Sequence, residues 1–144
     1  MIETDMLYAY LKREDWLKPA ANAVMSRIVK GEFGTVYASR EAIHEIYYVS
    51  REEGVSGDEL IARGAALTAI ENLTYLDTTF EVDLLAFTLI RQYRLTSIFD
   101  AYYAATALNQ VEDHTIISTD KVFDAIPGVK RIDPREILKQ QSFK

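Results

Sequence analysis

Short apolar runs alternate along this chain with longer segments in which apolar residues recur at helical spacing. The runs at 35–38, 73–76, 115–118 and 130–132 predict short strands, and residues 1–7 predict a strand that turns into a helix. Strands separated by helices favour a parallel sheet that is covered on both faces. We therefore predict an α/β fold of three layers, with a central parallel sheet of about four or five strands flanked by helices.

Small polar residues in front of the helical segments indicate where the helices begin. Five such caps are predicted: Asp15, Ser39, Ser56 with Glu59, Thr78 with Glu81, and Ser97. Thr4 or Asp5 is expected to cap the helix that follows the first strand. Gly31 is expected to end the second helix, and the helix after Ser56 is expected to end near Glu71. Pro134 suits the first turn of a terminal helix.

The composition is that of a globular protein, and 144 residues suit a single domain over residues 1–144. The net charge of −6 excludes nucleic-acid binding through a broad basic face. Any nucleic acid would be held locally, through metal ions, and the acidity suits a basic partner segment. The chain shows no signal peptide and no apolar run of membrane-spanning length, so we expect a cytoplasmic protein.

The residue types limit the chemistry that the chain offers. There are no cysteines, which excludes disulfides, thiolate zinc sites and a cysteine nucleophile. Two histidines cannot form a histidine-rich metal site. A bound metal would therefore have oxygen ligands, which favours Mg²⁺ or Mn²⁺ over Zn²⁺.

Four acidic residues in separate segments are the strongest indication of function. They are Glu3 in IETDMLYAYL, Glu45 in SREAIHEIYYV, Asp100 in SIFDAYYAATAL and Asp120 in IISTDKVFDAI. Each lies beside apolar residues, where a charge is costly unless something compensates it. All four follow predicted strands or lie in helices after them, which places them on the edge of the sheet where ligands bind. A shared Mg²⁺ or Mn²⁺ ion would compensate their charges and support hydrolysis of a phosphate ester.

Each acid taken alone has a simpler explanation. Asp100 suits the first turn of a helix, where the helix dipole favours a negative charge, and Asp120 suits a turn or a cap. Glu45 fits a solvated helix face about as well as a cleft. Glu3 competes with Asp5 for the first position, and Asp5 is well explained as a cap. The functional interpretation therefore depends on all four acids meeting.

The segments ETDMLYAYL, ASREAIHEIYYV, FDAYYAATAL and STDKVFDAI resemble, in this order and spacing, a PIN domain and more narrowly a VapC-like toxin ribonuclease. The resemblance covers roughly residues 1–138. It implies an α/β fold whose acids bind Mg²⁺ or Mn²⁺ and cleave RNA to leave 5′-phosphate and 3′-hydroxyl ends. It also implies a homodimer, and a cognate antitoxin whose tail enters the active-site groove.

The resemblance assigns roles by position. It implies catalytic roles for Glu3, Glu45, Asp100 and Asp120, of which Glu3, Asp100 and Asp120 would hold the metal. We expect Asp5, Thr119 and Asp124 to support these ligands or to substitute for one, and Arg40 and Lys121 to bind the substrate. Tyr102 and Tyr103 are candidates for lining the cleft or a dimer interface.

Three features depart from the family pattern. Glu3 stands where the family normally has aspartate, and Asp5 stands where it often has asparagine or serine. Only Met1 and Ile2 precede Glu3, so that either the first strand is short or the true start lies upstream, and Val122 replaces a further aspartate of many members. Glu3 and Val122 support an alternative function, a PIN-like module that binds RNA or protein without cleaving. A DNA-directed or flap nuclease is a third interpretation, but the chain offers no element that would thread a flap.

Overall fold

Four short strands and seven α-helices make up the computed structural model, which describes residues 1–142. The strands are β1 (Val36–Ser39), β2 (Leu73–Leu76), β3 (Thr115–Ile117) and β4 (Lys130–Ile132). The helices are α1 (Thr4–Leu11), α2 (Lys18–Val29), α3 (Glu41–Glu52), α4 (Gly57–Thr68), α5 (Phe80–Tyr93), α6 (Ile98–Gln110) and α7 (Pro134–Ser142). A 3₁₀ helix over Lys121–Ala125 follows β3. The strand positions agree with the sequence prediction to within a residue.

All strand pairs are parallel, and the first residues of the chain join them into one sheet. β1 pairs with β2, and β3 pairs with β4. Ile2 bridges Ala38 on one side and Ile117 on the other, which gives the order β2, β1, Ile2, β3, β4. The predicted α/β fold with a central parallel sheet flanked by helices is confirmed. The first strand is short and the chain turns into α1 at Thr4, as predicted.

Helix α6 packs against the centre of this sheet because one of its faces carries small residues. Ala101, Ala104, Ala105 and Ala107 are all fully buried, and α6 contacts both β1 and β3. Alanine side chains permit a close approach between a helix and a sheet. The same packing sets the position of Asp100, which lies in the first turn of α6.

Some predicted caps are confirmed, and others are wrong by one or more residues. Ser56 and Ser97 each accept a backbone N–H of the following helix, as predicted. At α1 the cap is Glu3, and neither Thr4 nor Asp5 takes this position. At α5 the cap is Thr79 instead of the predicted Thr78.

Asp15 and Ser39 close turns in front of helices and do not cap them. The Asp15 carboxylate accepts the N–H of Leu17 at 2.9 Å, and α2 begins only after Leu17. The Ser39 hydroxyl accepts the N–H of Glu41 at 3.0 Å, while Arg40 takes the cap position of α3. Side chains of these types commonly accept a backbone N–H two residues ahead in a turn. Helix α4 ends at Thr68, ahead of the predicted end near residue 71.

Within residues 1–142, none of the helices is both long and apolar enough to cross a membrane.

Candidate active site

The four predicted acids and Asp5 line a single cleft of about 330 Å³. Its walls are formed by Glu3, Thr4, Asp5, Tyr8, Glu45, Val49, Ser97, Asp100 and Asp120. Glu3 follows the Ile2 bridge and Asp120 follows β3, so the cleft lies beyond the carboxyl ends of central strands. Two larger cavities, of about 760 and 620 Å³, lie elsewhere on the chain. We assign the site by its chemistry and not by its size, because neither larger cavity gathers comparable carboxylates.

Glu3 and Asp5 are held at the same corner of the cleft by different contacts. Glu3 is only 6% exposed, and its Oε2 atom accepts the backbone N–H of Asp5 at 2.6 Å. The Oδ2 atom of Asp5 accepts two hydrogen bonds from Thr119, from the backbone N–H at 2.9 Å and from the hydroxyl at 2.7 Å. The Oδ1 atom of Asp5 is buried and has no hydrogen-bond partner among residues 1–142.

Glu45 is fixed by a relay of hydroxyl groups that joins three helices. The Tyr103 hydroxyl donates to Oε1 of Glu45 at 2.9 Å, and the Thr4 hydroxyl donates to the Tyr103 oxygen at 2.5 Å. Tyr103 is 1% exposed. The sequence did not predict that Tyr103 holds Glu45. The clue in the sequence is that Tyr103 lies three residues after Asp100 and therefore on the same side of α6.

Asp100 lies in the first turn of a helix and Asp120 caps one, and both also line the cleft. The N–H of Asp100 donates to the Ser97 hydroxyl at 3.4 Å, which leaves the Asp100 carboxylate free to line the cleft. The Oδ1 atom of Asp120 accepts the N–H of Val122 at 2.9 Å at the start of the 3₁₀ helix. Both residues therefore have the helix-terminal positions of the simpler interpretation, and both also line the cleft.

Burial and mutual repulsion make the cleft unfavourable for several negative charges. Loss of hydration raises the pKa of Glu3 well above its ordinary value, and the charge of Asp5 raises it further. Burial also raises the pKa of Glu45. For Asp100, burial and then the charges of Asp120, Glu45 and Asp5 raise the pKa to about 7. A cation in the cleft would relieve this repulsion and favour the ionised carboxylates.

The family model for the PIN domain matches residues 1–129 of the chain. The chain belongs to the PIN domain family. Members of this family are usually nucleases, and PIN domain proteins in general bind RNA. No curated protein matches the sequence.

The donor groups of this PIN domain fit a hydrated, oxygen-ligated cation. The unpartnered Oδ1 of Asp5 and the absence of sulfur or imidazole from the lining both suit Mg²⁺ or Mn²⁺. In residues 1–142 no three acidic or histidine side chains are already grouped closely enough to hold a metal ion. Mg²⁺ commonly keeps several waters and uses only one or two carboxylates. The cleft therefore suits direct contact with few carboxylates and water-mediated contact with the others.

Four predicted residues of the PIN domain lie outside the walls of the cleft, namely Thr119, Asp124, Arg40 and Lys121. Asp124 forms a two-point ion pair with Arg131, at 3.0 and 3.1 Å, on the surface. Arg40 lies at the start of α3 with its Nε atom 4.0 Å from Asp77. Lys121 is exposed at the first position of the 3₁₀ helix. The structure thus brings Asp5 and Thr119 to the predicted acids, whereas substrate contacts of Arg40 and Lys121 stay a prediction.

Proposed function

We propose that this PIN domain is a Mg²⁺- or Mn²⁺-dependent endoribonuclease, the toxin of a toxin–antitoxin pair. The observation that carries the proposal is the meeting of five carboxylates from four separate segments in one cleft, one of them with an unpartnered buried oxygen. Concentrating these charges costs stability, and few functions other than binding a cation would offset that cost. The family's usual nuclease activity supports the same conclusion.

The proposed roles follow from how each side chain is held. Asp100, Asp120 and the Glu3–Asp5 corner would hold the metal, directly or through water. The bound metal would neutralise charge on the phosphate and activate the attacking water. Glu45, held in place by Tyr103, would orient that water or complete the metal site. The products would carry 5′-phosphate and 3′-hydroxyl ends.

Partners of the enzyme are part of the same proposal. Arg40 and Lys121 are exposed cations near the ends of elements that flank the site, and we propose that they contact the RNA backbone. The net charge of −6 suits a basic antitoxin segment. Helix α5 exposes Phe80, Leu84 and Phe87 at helical spacing, with exposures of 81%, 64% and 51%, which supports a homodimer. A cytoplasmic location would give such an enzyme access to RNA.

A second candidate function is a PIN module that binds RNA or protein without cleaving. One observation favours it: the carboxylates of residues 1–142 are not pre-arranged around a single point. The replacement of an aspartate of many family members by Val122 points the same way. Such a module would bind Mn²⁺ weakly and gain little thermal stability from it.

Cleavage of a mixed RNA pool by the purified protein separates the two functions. The reactions contain Mn²⁺, Mg²⁺ or EDTA, and Asp100→Asn is the matched control because it removes a cleft charge while preserving side-chain size. Metal-dependent cleavage that the variant lacks would establish the nuclease. Folded wild-type protein, free of bound antitoxin, that cleaves no better than the variant would refute it and support the binding module.

A further inference from the structure

Glu3 and Asp5 compete for the same place in the cleft, and their contacts distinguish them. Oε2 of Glu3 is already engaged by a short hydrogen bond from the backbone at the start of α1. Asp5 is instead held by a segment distant in the sequence. Two donors from Thr119 hold its Oδ2 atom, and its Oδ1 atom is left buried without a partner in residues 1–142. An unpartnered buried carboxylate oxygen is costly, so a group that binds it is expected.

We propose that Asp5, through Oδ1, is the direct metal ligand at this corner of the cleft, and that Glu3 is a positioning residue. Glu3 would act by capping α1 and thereby fixing the backbone from which Asp5 projects. This inference rests on the proposed function, since it assigns a ligand of the same metal site. In this chain Asp5 would therefore take the metal-binding role that the family pattern gives to position 3.

The side-chain lengths agree with this assignment. Glutamate carries one more methylene than the aspartate usual at position 3, which shifts a carboxylate by about 1.5 Å, and Mg²⁺ tolerates little departure from octahedral geometry. In this chain the longer side chain reaches its own helix terminus instead. Thr119 holds Asp5 by two hydrogen bonds, and a ligand fixed in this way needs little reorganisation to bind a metal.

Mn²⁺ binding to the purified full-length chain, measured by electron paramagnetic resonance titration, tests the assignment without depending on activity. Asp5→Asn keeps an oxygen for the Thr119 donors and places an amide nitrogen at the position of Oδ1. We expect it to weaken Mn²⁺ binding by about 100-fold or more. Glu3→Gln keeps an acceptor for the α1 cap, so we expect a change of about threefold or less. Thr119→Val, which removes one of the two donors to Asp5, should weaken binding by about tenfold.

The reverse result, strong loss in Glu3→Gln with wild-type affinity in Asp5→Asn, would overturn the inference and make Glu3 the ligand. Loss of similar size in both variants would also overturn it, because Glu3 would then share the ligand role. Circular dichroism checks that each variant is folded. If Glu3→Gln fails to fold, undiminished binding by Asp5→Asn still overturns the assignment. Asp100→Asn distinguishes failure of the proposed function from failure of the Asp5 assignment. If Asp100→Asn weakens Mn²⁺ binding and Asp5→Asn does not, only the Asp5 assignment fails. Wild-type protein that binds no Mn²⁺ would overturn the proposed function and the inference together.

Discussion

Removing one hydroxyl from the relay that holds Glu45 should destabilise the protein strongly. Tyr103→Phe deletes the donor to the Glu45 carboxylate and the acceptor of the Thr4 hydroxyl; the contact with Thr4 is buried, the contact with Glu45 is partly buried, and Tyr103 itself is 1% exposed. A hydrogen bond to a charged group contributes about 1.5–3 kcal/mol, and a buried donor left unpaired costs about 1–3 kcal/mol. Because the two effects overlap, we expect a loss of about 2–4 kcal/mol in the free energy of unfolding.

The neighbouring tyrosine provides a matched control for this change. The Tyr102 hydroxyl donates to Asp83 at 2.6 Å, but at the partly exposed surface between α5 and α6. Tyr102→Phe should therefore cost about 1 kcal/mol or less. Urea unfolding at pH 7 in EDTA measures both variants, and thermal unfolding should show Tyr103→Phe lower by about 6–12 °C, at about 3 °C per kcal/mol. Equal losses in the two variants, with unchanged urea dependence, would refute the argument that the relay is a buried, fully used network.

The cleft and its surroundings give three further predictions. Folding raises the pKa of Asp100 from 3.8 to about 7, so its protonated form contributes stability that is full below pH 4 and is lost as the pH rises through 7. In EDTA the melting temperature should therefore fall from pH 5 to pH 8. A fall of equal size in Asp100→Asn would contradict this prediction. Mn²⁺ at about 100 times its dissociation constant should add about 2.7 kcal/mol to the free energy of unfolding at pH 7.5. The melting temperature should rise accordingly and fall again when EDTA is added, and an unchanged melting temperature would argue against a metal site. Asp124→Asn breaks only an exposed ion pair with Arg131, so the free energy of unfolding should change by less than about 1 kcal/mol and the Mn²⁺ affinity should not change. A large loss of Mn²⁺ affinity in a calorimetric titration would show that Asp124 contributes to metal binding.

The strands and most helices of this fold are predictable because local patterns determine them. The apolar run over 73–76 predicts β2 with its exact bounds, and Ser97 marks the start of α6. The failures arise where distant residues compete for a side chain. The sequence favours Thr78 as the cap, because Glu81 lies three residues after it, but Thr78 donates its hydroxyl to Glu41, and Thr79 caps α5.

The candidate site likewise has features that the sequence predicts and features that depend on contacts between distant residues. That Glu3, Glu45 and Asp120 meet at one edge of the sheet follows from parallel topology, because each comes after a strand or lies in the helix after it. Asp100 lies at the start of the second helix after β2, and the packing of α6 against the sheet brings it to the same edge. The relay from Thr4 to Tyr103 does not follow, since its members lie 99 residues apart and no periodicity links them. The difference between Glu3 and Asp5 depends in the same way on Thr119, which lies 114 residues from Asp5 and reaches it only in the folded protein.

The bridge formed by Ile2 has a consequence for the order in which the protein is made. The central pairing of the sheet joins the first residues of the chain to Ile117, and Asp5 is fixed only when Thr119 is present. At a translation rate of about 5–20 residues per second, the ribosome needs on the order of ten seconds to synthesise the segment between these partners. Until then the nascent chain lacks the centre of its sheet and one wall of its cleft. Assembly of the acidic site is therefore a late event in synthesis, and a truncated chain that ends before β3 would carry no complete site.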